Sequence, residues 1–420
     1  MMVLLAQYVA RARVRIDQAR VEGVWRTVLK SIDYMASAVV WLALMPVTLV
    51  LHATGFRRLT VLVGRIGHLA AEPDSFLKAR VLGMVTQGRY FMTAPHRSVA
   101  NHAMLEFWRP HITTIDQPVV CWVLNAMSRW LVMRHDMSRY VLKLNASQEI
   151  YRINSAWKGR APLLALSPTD IAWSDSQFLA LGLPKDAWYV CVHVREAGFS
   201  PGDESAHAYR NADPGAVHVA MEEIVRRGGW CVRMGDPSMT PVRSMPGVID
   251  YAHHPLRSDR LDVLLCARAR FFLGNTSGIA LVSSVFGVPS ALANLVPLSV
   301  RAFLPGDIFI PKLLRDTRTQ RLLSFPAAME SSVGDFRYSR LFAEAGIEVI
   351  ENTPDEICDM AMEMLDRGDG RFSLDATDEK NQHAYDALFR PGHYAYGAAS
   401  RVGTAFLRKY LALLSSSEST

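Results

Sequence analysis

At 420 residues the chain is long enough for two hydrophobic cores of ordinary size plus an appendage. Half of the residues are hydrophobic and 20% are charged, a balance shifted toward lipid contact relative to an average soluble domain. The net charge is +6, but the arginines are scattered rather than gathered into basic runs, which argues against a nucleic-acid partner and for affinity to phosphate and to membrane surfaces.

Residues 1–33 interleave arginines with apolar positions, and Gly23 interrupts an otherwise helical pattern. Residues 34–51 then carry no charge over 18 positions, within the length of a membrane span, with Trp41 and Pro46 inside the run. Two readings stay open: membrane association, as a span or as a monotopic hairpin or interfacial helix, and a buried core helix or groove lip. A cleavable signal is not expected, because the run starts far from the terminus and no small-x-small site follows it. Arg20, Arg26, Arg57 and Arg58 flank both ends, so charge asymmetry sets no orientation. The expected place is the cytoplasm, at the inner face of the plasma membrane, by shallow insertion.

From residue 59 the pattern alternates: a strand at 59–63, the loop Gly64-Arg65-Ile66-Gly67-His68, a helix carrying Phe76, Leu77 and Ala79, a strand at 90–93 and a helix at 100–108. Strand-then-helix order predicts a parallel sheet covered by helices. In the first of these loops His68 or Glu72 is placed to take a proton from a hydroxyl, the alternative being surface polar residues at a helix start. Residues 127–159 read as mostly helical, and Pro162, Ser167, Pro168 and Gly182-Leu183-Pro184 mark an inter-domain stretch.

The second alternation is cleaner. A strand at 188–192 runs into His193-Val194-Arg195 and a polar loop closing with Tyr209, Arg210, Asn211 and Asp213. A helix at 214–227, strands at 230–234 and 248–251, a helix at 259–267, and strands at 270–273 and 290–293 follow, a Rossmann-like outline. Residues 307–321 break the pattern and read as an irregular flap. An edge strand at 348–351 and a helix at 354–366 with Pro at its start come next. The tail at 400–414 reads as an amphipathic helix crossing back to the first domain. The five cysteines, Cys121, Cys191, Cys231, Cys266 and Cys358, lack C-x-x-C spacing and lie mostly in apolar runs, so they read as buried thiols of a reducing compartment.

His193 and Arg195 alternate along a strand, so both point to one face at its end. The arginine is a five-donor fork suited to clamping a diphosphate and neutralising a leaving group. The turn Gly274-Asn275-Thr276-Ser277-Gly278 joins a strand to a helix-like stretch and offers two hydroxyls with free N–H groups, a second anion-seeking edge. Ser277 is the preferred phosphate ligand there and Thr276 the second. Asp236, at the end of the next strand, suits a ribose hydroxyl or base edge, or is simply a turn aspartate. Asp259 reads as an N-cap and Asp262 as its first-turn companion. His253 and His254 lack partners at metal-ligand spacing, so no metal site is expected.

Taken in order, these motifs resemble a family of bacterial glycosyltransferases over residues 64–298. The matching pieces are Arg65-Ile66-Gly67-His68-Leu69, His193-Val194-Arg195, Tyr209-Arg210-Asn211-Ala212-Asp213, Gly228-Gly229-Trp230, Arg233-Met234-Gly235-Asp236, Asp250-Tyr251-Ala252, Asp262, Phe271-Phe272-Leu273-Gly274 and Ser277-Gly278. That family is distantly similar to fucosyltransferases with a His-x-Arg element. The resemblance implies an α/β, GT-B-like fold: two Rossmann-like domains facing a cleft, with the donor in the C-terminal one and no metal. It also implies that Arg195 binds the donor diphosphate, supported by Thr276 and Ser277. Those fucosyltransferases often carry Gly-Asp after His-x-Arg, whereas Glu196, Ala197 and Gly198 follow here, which leaves the donor sugar open.

The expected organisation is an N-terminal helical, membrane-associated segment (1–56), an acceptor domain (57–184), a donor domain (185–370) and a helical tail (371–420). The expected function is metal-independent transfer of a sugar from a nucleotide-diphosphate donor to a glycan or lipid-linked acceptor, with no cofactor beyond the donor itself. His193, Arg195, Arg210, Asn211, Asp236, Gly274, Asn275, Thr276, Ser277 and Gly278 form the donor site, and His68, Glu72 and Arg195 carry the chemistry. The alternatives are a non-catalytic membrane-anchored protein that binds nucleotide sugars or glycans, and a sugar-nucleotide epimerase or hydrolase of similar fold.

Overall fold

The computed structural model describes Val9 and residues 28–85, 88–127, 147–197 and 201–415. Arg20, Arg26, Gly198 and most of the 127–159 stretch lie outside these residues. The described residues fall into two compact α/β units, one within Arg13–Ser147 and the other within Gln148–Thr420 together with Met1–Ala12. The boundary after Ser147 lies ahead of the sequence-derived one at 184/185. Its cause is helix Pro168–Ala180, which Arg260 and Arg268 tie to the second unit through Asp170 at 2.9 Å and Asp175 at 2.6 Å.

The first unit opens with helices α1 (Val28–Ala43) and α2 (Met45–Ala53), bent by 63° at Leu44. No single described helix is long and apolar enough to cross a membrane, but this bent pair together meets the length and composition of a span. Strands β1 (Phe56–Leu59), β2 (Arg89–Thr93) and β3 (Thr113–Ile115) form a parallel sheet in that order, joined through helices α3 (Ile66–Val81) and α4 (His102–Trp108) and followed by α5 (Pro118–Met127). Pro73 sits inside α3 and has no N–H to give the carbonyl of Leu69 four residues back. The indole N–H of the fully buried Trp108 donates to that carbonyl instead, at 2.9 Å, so α4 replaces the missing helix bond.

In the second unit, helices α6 (Ser147–Trp157) and α7 (Pro168–Ala180) precede a seven-stranded sheet. Its strands are β4 (Tyr189–His193), β5 (Trp230–Arg233), β6 (Val248–Ile249), β7 (Phe272–Gly274), β8 (Ser290–Leu295), β9 (Ile308–Pro311) and β12 (Arg401–Val402). They run in the order β12-β9-β8-β7-β4-β5-β6, and every pairing is parallel. All six residues of β8 are buried, as expected of a strand covered on both faces. From β4 the chain moves outward to β5 and β6, then returns across β4 to lay down β7. The order therefore reverses between β4 and β7, which is where open α/β sheets leave a crevice at the carboxyl ends of their strands.

Two expectations are corrected here. Residues 307–321 are not a flap: they form β9 within the sheet and β10 (Leu313–Asp316), which pairs antiparallel with β11 (Ile347–Ile350). Pro311 and Lys312, set together at the end of the run, hid an apolar strand. The tail contributes β12 and helix α16 (Thr404–Lys409) to the second unit itself rather than crossing to the first. It is held there by Arg408 and Lys409, whose side chains reach Asp378 at 2.6 Å and Glu356 at 2.6 Å.

Asn294, at the bend of β8, has φ +54, and exchanges hydrogen bonds with Asn352: each carboxamide oxygen accepts the other's backbone N–H, at 2.6 and 2.7 Å. Asn352 also donates to the Pro311 carbonyl at 2.9 Å, and both asparagines are almost fully buried. Replacing Asn352 by Ala strands a buried N–H and a buried carbonyl, at about 1–3 kcal/mol each. Urea unfolding of Asn352→Ala should therefore show a loss of at least about 2 kcal/mol; an unchanged midpoint would contradict this role.

Candidate functional site

The reversal point gathers most of the residues singled out from sequence. β4 and β7 approach so closely there that a Cβ on Gly274 would lie 2.2 Å from the His193 carbonyl oxygen, so only glycine fits this register. Immediately beyond, the fully buried Asn275 accepts the backbone N–H of Arg195 at 2.8 Å and donates to the Arg210 carbonyl at 3.2 Å. Arg210 returns a bond from its guanidinium to the Thr276 carbonyl at 2.7 Å, and the Ala212 N–H donates to the Arg195 carbonyl at 3.0 Å. Three segments distant in sequence are thus clasped at one sheet edge.

The groups left over at this edge are ligand-type groups. Among the described residues the Arg195 guanidinium has no hydrogen-bond or ion-pair partner, and the side chain is only partly exposed. Among the described residues the Thr276 hydroxyl and the Asn211 carboxamide oxygen are buried without a hydrogen-bond partner. Such groups cost free energy unless something satisfies them. Ser277 and Gly278 are partly exposed in the turn that leads into helix α11 (Ala280–Val285).

Nearby acids are already neutralised. Glu196 and Asp250 both face the buried Arg233, at 3.4 and 3.2 Å, and the Thr240 N–H donates to Glu196 at 2.6 Å. Glu196, the residue that follows Arg195, is therefore engaged within its own unit. Asp236 accepts the Ser238 N–H at 2.8 Å, an aspartate turn that still leaves its second carboxylate oxygen available. The N-cap of the helix at 259–268 is Ser258 rather than Asp259, since the Ser258 hydroxyl accepts the Leu261 N–H. Asp262 takes the Tyr251 hydroxyl at 2.7 Å, and burial pushes its carboxyl up to about 6.

His193 is mostly buried, and burial pushes its imidazole down to about 4. Its Nδ1 lies 3.0 Å from the Met234 carbonyl, which can only accept, so Nδ1 carries the proton and Nε2 is left as an acceptor. A neutral ring with a free lone pair suits a hydroxyl rather than a phosphate oxygen.

Sequence reasoning missed Lys312 and Glu351. Lys312 is buried, and its ammonium donates to the Asn211 carbonyl at 2.5 Å and meets Glu351 at 3.5 Å. Glu351 in turn accepts the Asp213 N–H at 2.9 Å, so the pair pins the loop at Asn211 and Asp213 while Asn275 holds it at Arg210. A single lysine at the end of the apolar run Ile308-Phe309-Ile310-Pro311 was the available signal.

His68 and Glu72 belong to the first unit. His68 Nδ1 and Glu72 Oε1 are 2.8 Å apart, one turn along α3; the His68 side chain is 53% exposed and that of Glu72 9%. The second Glu72 oxygen accepts the Leu62 N–H at 2.9 Å. Glu72 is thus a fixed, doubly bonded acceptor that orients the ring, and His68 is the member that reaches solvent. Among the described residues no group of three His, Cys, Asp or Glu side chains converges as a metal ligand set.

No protein-family model matches the chain, and no curated protein sequence matches it. Partial likeness is found among solved structures. A family 9 glycosyl transferase from Veillonella parvula is 13% identical with a TM-score of 0.28, over 57% of this chain and 68% of its own. The ADP-heptose LPS heptosyltransferase II of E. coli is 12% identical with a TM-score of 0.40, over 61% and 90%. An iron-containing dodecameric glycosyltransferase from enterotoxigenic E. coli is 12% identical with a TM-score of 0.32, over 61% and 62%.

The state of His193 has a pH consequence. Unfolding returns the ring to its ordinary value near 6.5, so between about 4 and 6.5 the unfolded chain binds a proton that the folded chain refuses. The contribution of the neutral ring is complete above pH 6.5 and is lost as pH falls toward 4. The thermal midpoint of the wild type should therefore drop more steeply across that window than that of His193→Asn; parallel profiles would contradict the assignment.

Proposed function

We propose that the protein is a glycosyltransferase that moves a sugar from a nucleotide-diphosphate donor to a glycan or lipid-linked acceptor without a metal ion. The observation that carries this reading is the edge at the strand-order reversal. There the unengaged guanidinium of Arg195 and the unsatisfied hydroxyl of Thr276 follow two strands locked together by Asn275, with the neighbouring acids held by Arg233. A pyrophosphate supplies the acceptor oxygens these groups lack.

On this reading Arg195 grips the diphosphate and offsets the charge that develops on the leaving group, Thr276 and Ser277 add hydroxyl donors, and Arg210 holds the loop in place. The neutral His193 accepts a sugar or ribose hydroxyl through Nε2, and Asp236 takes a second hydroxyl with its free oxygen. The His-x-Arg element and the Thr276-Ser277 pair are the features shared with the fucosyltransferase-like resemblance, and they assign the same roles. In the first unit, His68 withdraws the acceptor proton while Glu72 orients the ring and stabilises the imidazolium. In this scheme the acceptor is reached from the inner surface of the plasma membrane.

Two measurements test the reading. A saturating nucleotide sugar should raise the melting temperature of the wild type, since ligand at a hundredfold its Kd contributes about 2.7 kcal/mol. Arg195→Ala should abolish that shift, and an equal shift in the variant would remove the assignment. With a lipid-linked acceptor present, His68→Ala should lower kcat by roughly 10²–10⁴-fold while leaving the donor-induced shift intact. Release of free sugar at the same rate with and without acceptor would instead identify a hydrolase, and binding without release a sensor.

A further inference from the structure

The largest feature the donor site does not use is the apolar elbow formed by α1 and α2. Leu29, Ile32, Met35, Val39 and Leu42 recur at three- and four-residue spacing and are each 51–66% exposed, a stripe on one face of α1 that points to solvent. Val47, Leu49 and Val50 continue the exposed apolar surface beyond the bend. The opposite face is the anchored one. Leu44 and Leu51 pack on Phe91 and Met127, and the Trp122 indole N–H of α5 donates to Asp33 at 2.7 Å.

Three hydroxyls of the elbow are satisfied from within it, while the Trp41 indole N–H is buried and makes no hydrogen bond among the described residues. Ser37 donates to the Asp33 carbonyl at 2.6 Å, Thr48 to Leu44 at 2.9 Å and Thr54 to Val50 at 2.9 Å. Asp33 is the sole acid among described residues 28–53 and is bonded to Trp122. Cations stand at both ends: Lys30 is exposed at one, and at the other Arg57 is braced on the His52 and Phe56 carbonyls at 2.9 and 2.8 Å beside the exposed Arg89. A protein partner would be expected to find about one hydrogen bond per 100–200 Å² of interface, and the stripe offers none. Hydrocarbon asks for none, and cationic flanks complement anionic headgroups.

We infer that the elbow docks the first unit on an anionic phospholipid surface, lying in the plane of the interface. It does not cross the bilayer as a straight span, because the 63° bend and the packing of Leu44 and Leu51 hold it against the unit's own core. The inference adds to the proposed function the place where the acceptor is met, and it stands independently of the donor assignment.

Flotation of the full-length chain tests it, with vesicles of phosphatidylglycerol and phosphatidylcholine against phosphatidylcholine alone. The wild type should float preferentially with the anionic vesicles and be released by alkaline carbonate. Met35→Glu/Val39→Glu should weaken partition at least tenfold, because two apolar side chains are withdrawn from hydrocarbon and two carboxylates are set against anionic headgroups. Its circular dichroism and its melting shift with nucleotide sugar should remain those of the wild type, which separates failure here from failure of the donor reading. Equal flotation of the variant, no flotation of the wild type, carbonate-resistant binding, or a lipid-free dimer dissolved by the substitutions would each overturn the inference.

Discussion

The carboxamide of Asn275 is the constraint on which the candidate site rests. Its oxygen takes the Arg195 N–H and its nitrogen reaches the Arg210 carbonyl, so one buried side chain fixes the end of β4, the loop at 210–213 and the turn after β7. Strand order brings β4 and β7 side by side, and Gly274 lets them approach. Neither alone would set the direction of the segments that follow. A buried amide with both ends engaged does so, because any displacement leaves a polar group unsatisfied in a low-dielectric setting.

Electrostatics then follow from which charges are already spent. Arg233, buried between Glu196 and Asp250, consumes the acids that would otherwise oppose an anion, and Lys312 with Glu351 holds the loop at Asn211 and Asp213. His193 contributes no charge, since its ring is held neutral. What is left at this edge among the described residues is the Arg195 guanidinium and a hydroxyl with no hydrogen-bond partner, and these two groups are the basis for proposing an anionic ligand there.

Much of this was legible in the sequence, for identifiable reasons. A parallel sheet buried on both faces writes itself as continuous apolar runs, so β4, β5, β7 and β8 could be placed to within a residue or two. The clasp partners stood out because Asn275 and Thr276 follow a strand directly. Long-range partnerships were not legible: nothing local says that Lys312 meets Asn211, that Trp108 replaces the bond Pro73 forbids, or that Glu196 belongs to Arg233. The misreading of 307–321 has the same origin. β9 is short, ends at Pro311 just ahead of Lys312, and is defined by its place beside β8 rather than by its own pattern. The tail was read as a long amphipathic helix because the two-residue β12 carries no periodic signal.

The first unit combines a carboxylate-oriented histidine with an apolar elbow, the second an anion-seeking edge. The claim on which the whole account turns is that the edge is built for two phosphates rather than one. Calorimetric titration of the wild type with matched nucleoside diphosphates and monophosphates measures this directly, and Thr276→Val asks whether the unsatisfied hydroxyl takes part. The account predicts at least tenfold tighter binding of the diphosphate and a narrower gap in the variant. Equal affinities for the two nucleotides, or a gap indifferent to Thr276, would contradict it.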